Sequence, residues 1–106
     1  MADRKLPLGD KEHVVQAVEG TLVVLDHGLT VQRAGTDRVL TLHAAEIRRI
    51  QVDIELRRPA TMAIVPDASG LEAQVLTIPP EEFEPLSRAM LHLAVALDDA
   101  SRRAAD

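Results

Sequence analysis

Cysteine, tryptophan and tyrosine are all absent from this chain, and Phe83 is its only aromatic residue among 106. Without a thiol there is no disulfide, no thiol nucleophile and no thiolate metal site. Without aromatic rings the chain lacks the platforms on which single-stranded nucleic acids stack. A formal net charge of −5 also opposes a phosphate backbone, so nucleic acid is not an expected partner. Long apolar runs are missing as well. The start, MADRKLPLGDKE, contains no signal-peptide core. Nothing later approaches the roughly 20 apolar residues that span a bilayer. A soluble, cytoplasmic protein is therefore the expectation.

What remains is ordinary globular material. Hydrophobic residues make up 46% and charged residues 27%, a balance that argues against wholesale disorder. With one aromatic, the core must be aliphatic. The length suits one domain with a modest core. Residues 1–11 mix charge with Pro7 and Gly9 and read as a loose arm, leaving residues 12–106 as the domain.

Strand-like patterning runs from about residue 13 to residue 78. Gly20 interrupts the β-rich stretch HVVQAVEGTLVVLD, which predicts one long strand bent there. Asp26-His27-Gly28 separates this strand from LTVQRA and predicts a hairpin turn in which Gly28 supplies a positive φ. In IRRIQVDIEL, Ile50, Val52, Ile54 and Leu56 alternate with Arg49, Gln51, Asp53 and Glu55, the pattern of a strand with one wet face. ATMAIV and EAQVLTI form a further pair around the turn cluster at residues 66–70.

After Ile78 the period changes. Pro79-Pro80 and three glutamates open a helix predicted over about residues 80–103, with Arg102 and Arg103 at its negative end. Phe83, Leu86, Met90, Leu93, Ala94 and Leu97 form its expected apolar stripe, with Phe83 as the anchor of its first turn. Leu91 and Val95 lie outside that stripe, beside Glu84 and Arg88. A helix that merely covers a sheet needs one apolar face, so this flank is either buried by a neighbouring segment or reserved for another chain.

This order of elements resembles that of bacterial pleckstrin-homology-like domains. The resemblance is carried by Gly20-Thr21-Leu22-Val23-Val24, Asp26-His27-Gly28-Leu29, Ala45-Glu46-Ile47 and Glu82-Phe83, and spans about residues 14–98. It implies a mainly β fold with a C-terminal helix. Two near-orthogonal antiparallel sheets of about six or seven strands would form a partly open barrel, capped by that helix. The resemblance does not bring the phosphoinositide-binding residues of eukaryotic members, because the corresponding loop, Asp26-His27-Gly28, is acidic to neutral.

Motifs for chemistry are scarce. His13, His27, His43 and His92 are far apart in sequence and read as surface or strand-face residues, not as metal ligands. Ser69, Ser87 and Ser101 lack a nucleophile elbow, and no phosphate loop or dinucleotide fingerprint occurs. No enzyme activity, cofactor or metal is expected. The expected function is a non-catalytic interaction or scaffolding module that binds itself or another protein, with Leu91, Val95 and Arg88 as contact candidates. The alternative is peripheral binding to an anionic membrane or ligand through Arg48, Arg49, Arg57 and Arg58, the only basic concentration in the domain.

Overall fold

The apolar run at residues 13–25 folds back on itself. In the computed structural model, which describes residues 12–105, β1 (His13–Gln16) and β2 (Gly20–Leu25) are antiparallel partners, with His13 opposite Val24 and Gln16 opposite Thr21. The turn closes where the Ala17 N–H donates to the Gly20 carbonyl at 2.8 Å. The expectation of one bent strand is thus corrected to a hairpin. Gly20 does not bend a strand; it admits the backbone of the strand that follows, because a Cβ there would overlap the Gln32 carbonyl oxygen. The arm expected at residues 1–11 lies outside the described residues.

Asp26 and His27 connect β2 to β3 (Gly28–Arg33), and Leu25 pairs with Gly28 as expected for a two-residue hairpin loop. Gly28 does not carry a positive φ, contrary to expectation; among the described residues only Gly35, Gly70 and Arg57 do. Its side-chain position is closed by the Leu42 carbonyl of β4 (Val39–His43). Close backbone approach, not turn geometry, is what requires glycine there.

A one-turn 3-10 segment, Ala44–Glu46, then carries the chain to the second sheet. The Glu46 carboxylate accepts the His43 N–H at 2.8 Å, and its carbonyl accepts the Asp67 N–H at 2.8 Å. This second sheet comprises β5 (Ile47–Asp53), β6 (Ala60–Pro66) and β7 (Gln74–Ile78). The alternation predicted to Leu56 stops at Asp53, opposite Thr61. Pro59 has no N–H with which to extend the ladder, and the chain turns over residues 54–59. Ile54 and Leu56 are left exposed.

The sheets have the orders β1-β2-β3-β4 and β5-β6-β7, all neighbours antiparallel, and neither closes on itself. The seven strands and one terminal helix are consistent with a pleckstrin-homology-like partly open barrel capped by a helix. One corner is stitched. The β1–β2 turn reaches β7, where the Val18 N–H donates to the Thr77 carbonyl at 2.8 Å. The opposite corner, between β4 and β5, has no strand-to-strand ladder.

The helix α1 (Phe83–Ala105) follows a 3-10 turn at Pro80–Glu82. Pro85 falls within its first turn, where a missing N–H removes no helical bond. The helix covers the sheets mainly over β1, β2 and the Ala44–Glu46 turn. Its buried line is Leu86, Ala89, Leu93 and Ala96, flanked by half-buried Phe83, Met90 and Leu97. One expectation is corrected here: Ala94 is exposed, whereas Phe83, half-buried, packs against the core at the start of the helix. The small residues Ala89 and Ala96 lie along the contact line and let the helix approach the sheets closely. Around it the core is aliphatic, with Leu22, Val24, Leu29, Val31, Met62, Ile64, Leu76 and Ile78 essentially inaccessible to solvent.

Candidate functional site

An apolar solvent-facing surface lies where α1 meets Val52 and Ile54. A helical period of 3.6 residues sets Leu91 and Val95 on one flank, and both project from the protein at 70% and 71% exposure. Arg88 and Glu84 border them and form an i,i+4 ion pair at 3.2 Å. The expected contact residues Leu91, Val95 and Arg88 are therefore all at the surface, and no described segment covers them.

Leu91 also forms one wall of a groove of about 430 Å³, a size typical of recognition clefts. Val52 and Ile54 line its β5 side; Phe83, Leu86, Ser87 and Met90 line its helix side. Ser87 is the only polar side chain among them. Ile54 is 59% exposed because the strand ends one residue before it. The sequence pattern pointed to the helix flank but not to the groove. Its signal in the sequence is Ile54, the third apolar residue of the alternation that begins at Ile50.

The four arginines do not converge. Arg48 sits at an irregularity in the β5–β6 register between Ile47 and Arg49, and Arg49 opposes Val65. Arg57 and Arg58 occupy the turn at the far end of that hairpin. Arg58 lies 3.7 Å from the Glu55 carboxylate. Four residue steps along the strand, on the order of 13 Å, take the chain from Arg49 to Asp53 before that turn begins. The chain thus presents two separate pairs of arginines, not one patch.

The histidines are gathered more than their spacing suggested. The His13 and His92 rings stand 4.9 Å apart at 55°, and His92 Nε2 is 3.0 Å from Asp26 Oδ1. Sheet pairing brings His13 beside Val24, and the helix then lays His92 across that end. His27 and His43 line a shallow depression with Asp99 and Arg103 nearby. Among the described residues no group of three or more His, Cys, Asp or Glu side chains is placed to hold a metal ion.

One carboxylate has a distinctive environment. Burial pushes the Glu19 carboxyl up, but hydrogen bonds from the Thr77 N–H and hydroxyl and from its own backbone N–H, with the Arg33 charge, hold it below its usual value. These contacts lie at the stitched corner, between the β1–β2 turn and β7. Among the described residues no polar or charged side chain is fully buried. Among the described residues no helix is long and apolar enough to cross a membrane.

No family model matches the chain, and no curated protein matches it.

Proposed function

We propose that this chain is a non-catalytic interaction module of pleckstrin-homology-like architecture that self-associates through the flank of α1 and the groove beside it. One observation carries the reading: Leu91 and Ile54, two large aliphatic side chains, stand exposed on either side of an apolar groove. Isolated surface leucines are common, but a contiguous apolar cleft, with the Glu84–Arg88 ion pair on the same helix flank as Leu91, has the composition of an association surface. The rest of the helix already has its cover, since Leu86, Ala89, Leu93 and Ala96 satisfy the sheets.

Molar mass by light scattering over a wide concentration range tests this on the full chain. The wild type forms a defined oligomer, and Leu91→Glu/Val95→Glu yields a folded monomer. A wild type that stays monomeric at high concentration removes self-association. The variant's thermal stability then shows whether the flank contributes to the monomer fold.

A further inference from the structure

The self-association just proposed leaves open how two copies meet, and β5 supplies an answer. Edge strands carry backbone groups with no sheet partner on their outer side. The chain has four such edges, β1, β4, β5 and β7. β1 and β7 are partly occupied: the Gln16 N–H of β1 donates to the Glu82 carboxylate at 2.9 Å, and Thr77 of β7 is bonded by Val18 and Glu19; β4 is occupied at one end only, where the His43 N–H donates to the Glu46 carboxylate at 2.8 Å. The open corner leaves β4 and β5. On β4 the exposed residues Val39, Thr41 and His43 include no pair of opposite charges to set a register. On β5 the exposed residues include Arg49 and Asp53, equally spaced about Gln51.

That spacing is self-complementary. In an antiparallel pairing of two identical strands about a two-fold axis at Gln51, each Arg49 lies opposite the other copy's Asp53. On the other face, each Ile50 lies opposite the other copy's Val52. Directly opposed residues share a face of the sheet, so the charges meet on the wet side and the aliphatics on the side of α1. A shift of two residues would instead set Arg49 against Glu55, which lies past the strand end and is already beside Arg58. The register irregularity at Ile47/Arg49 limits regular pairing on the other side. Among the described residues neither Arg49 nor Asp53 has an ion-pair partner.

We infer that the occupant of this surface is a second copy of the chain, joined β5 to β5 in the register centred on Gln51. The inference rests on the self-association reading. An isologous contact of this kind closes on itself and yields a dimer. Its two-fold axis runs perpendicular to the merged six-stranded sheet, so both α1 helices lie on the same face. Each copy's groove, with Ile54 and Leu91 at its rim, then faces the dimer axis, which joins the strand edge and the helix flank in one interface.

Charge reversal tests the register on the full chain. Arg49→Asp sets carboxylates against Asp53 at both symmetric positions, and Asp53→Arg sets guanidinium groups against Arg49. Light scattering should show each single variant weakened about tenfold or more in dimerisation. Two recoveries are expected. The double variant R49D/D53R restores the dimer, and an equimolar mixture of R49D with D53R forms a heterodimer. Both positions are exposed, and circular dichroism melts confirm that the variants stay folded. A wild-type dimer that is dissolved by Leu91→Glu/Val95→Glu but untouched by the charge reversals overturns the β5 pairing and leaves self-association standing. Single variants that dissociate and do not recover on mixing also overturn it. A wild type that is monomeric throughout overturns both.

Discussion

The Glu19 carboxylate accepts the backbone N–H of Thr77 at 2.6 Å through one oxygen and the Thr77 hydroxyl at 2.7 Å through the other. Fifty-eight residues separate the two. The contact fastens the β1–β2 turn of the first sheet to β7 of the second, and the Ala34 N–H adds a bond to the Glu19 carbonyl at 2.9 Å. The barrel is held at this corner by a side chain acting in place of a strand ladder.

This joint makes stability depend on acid. The Glu19 carboxyl is held below its usual value of 4.5, so the folded state binds its proton less readily than the unfolded chain. The contribution is fully present above that value and is lost as pH falls through the lower folded one. Glu19→Gln keeps an acceptor but gives up the charge, at a cost of about 1–2 kcal/mol near neutral pH. Urea unfolding at neutral pH and at successively lower pH should show the gap between wild type and variant narrowing. A gap that stays constant across the range would rule out the ionised joint.

Glycines divide into two groups with different costs. At Gly28 a methyl group meets the Leu42 carbonyl of the neighbouring strand, whereas at Gly35 the space is open and only a φ of +79° opposes it. Gly35→Ala should cost about 1–2 kcal/mol, the ordinary penalty of a left-handed residue. Gly28→Ala should cost more, because backbone must move. Paired thermal melts establish the order, and equal losses would show that β3 and β4 shift apart freely.

The position of the helix face can be checked residue by residue. Leu93→Ala should cost about 2–5 kcal/mol because Leu93 is fully buried in the core. Ala94→Lys, one residue on, should change stability by less than about 0.5 kcal/mol. Phe83→Ala should fall between them at about 2 kcal/mol, since the ring is only half-buried and the full cost of a buried aromatic does not apply. Denaturant midpoints measured for the three variants under dilute, monomeric conditions give the comparison. A large loss at Ala94 would place the helix in a different rotation.

Alternation and period made the strands and the helix legible, because burial on one face leaves a regular mark on the residues. Ile50 and Val52 alternate with Arg49, Gln51 and Asp53 in the sequence, and in the fold the first two are half-buried while the other three are exposed. The limits of that mark explain what was misread. Gly20 and Gly28 are required by the backbones of strands that follow them in the chain, and local pattern carries no information about such neighbours. Ala89 and Ala96 give little hydrophobic signal, although their smallness sets the depth of the helix. Leu91 and Val95 were visible as an excess because they broke the period of the stripe. The groove beside them was not, since it arises only when β5 ends at Asp53 and leaves Ile54 at its lip. His13 and His92, 79 positions apart by their numbering, meet only through the fold.

The helix that completes the core follows all seven strands in the chain. During synthesis the inner faces of both sheets are therefore made before the segment that supplies Leu86, Ala89 and Leu93 to cover them. At ribosomal speeds of about 5–20 residues per second, the 23 residues of α1 take roughly one to five seconds to appear. For that interval the nascent domain carries bare aliphatic surface that the finished fold hides.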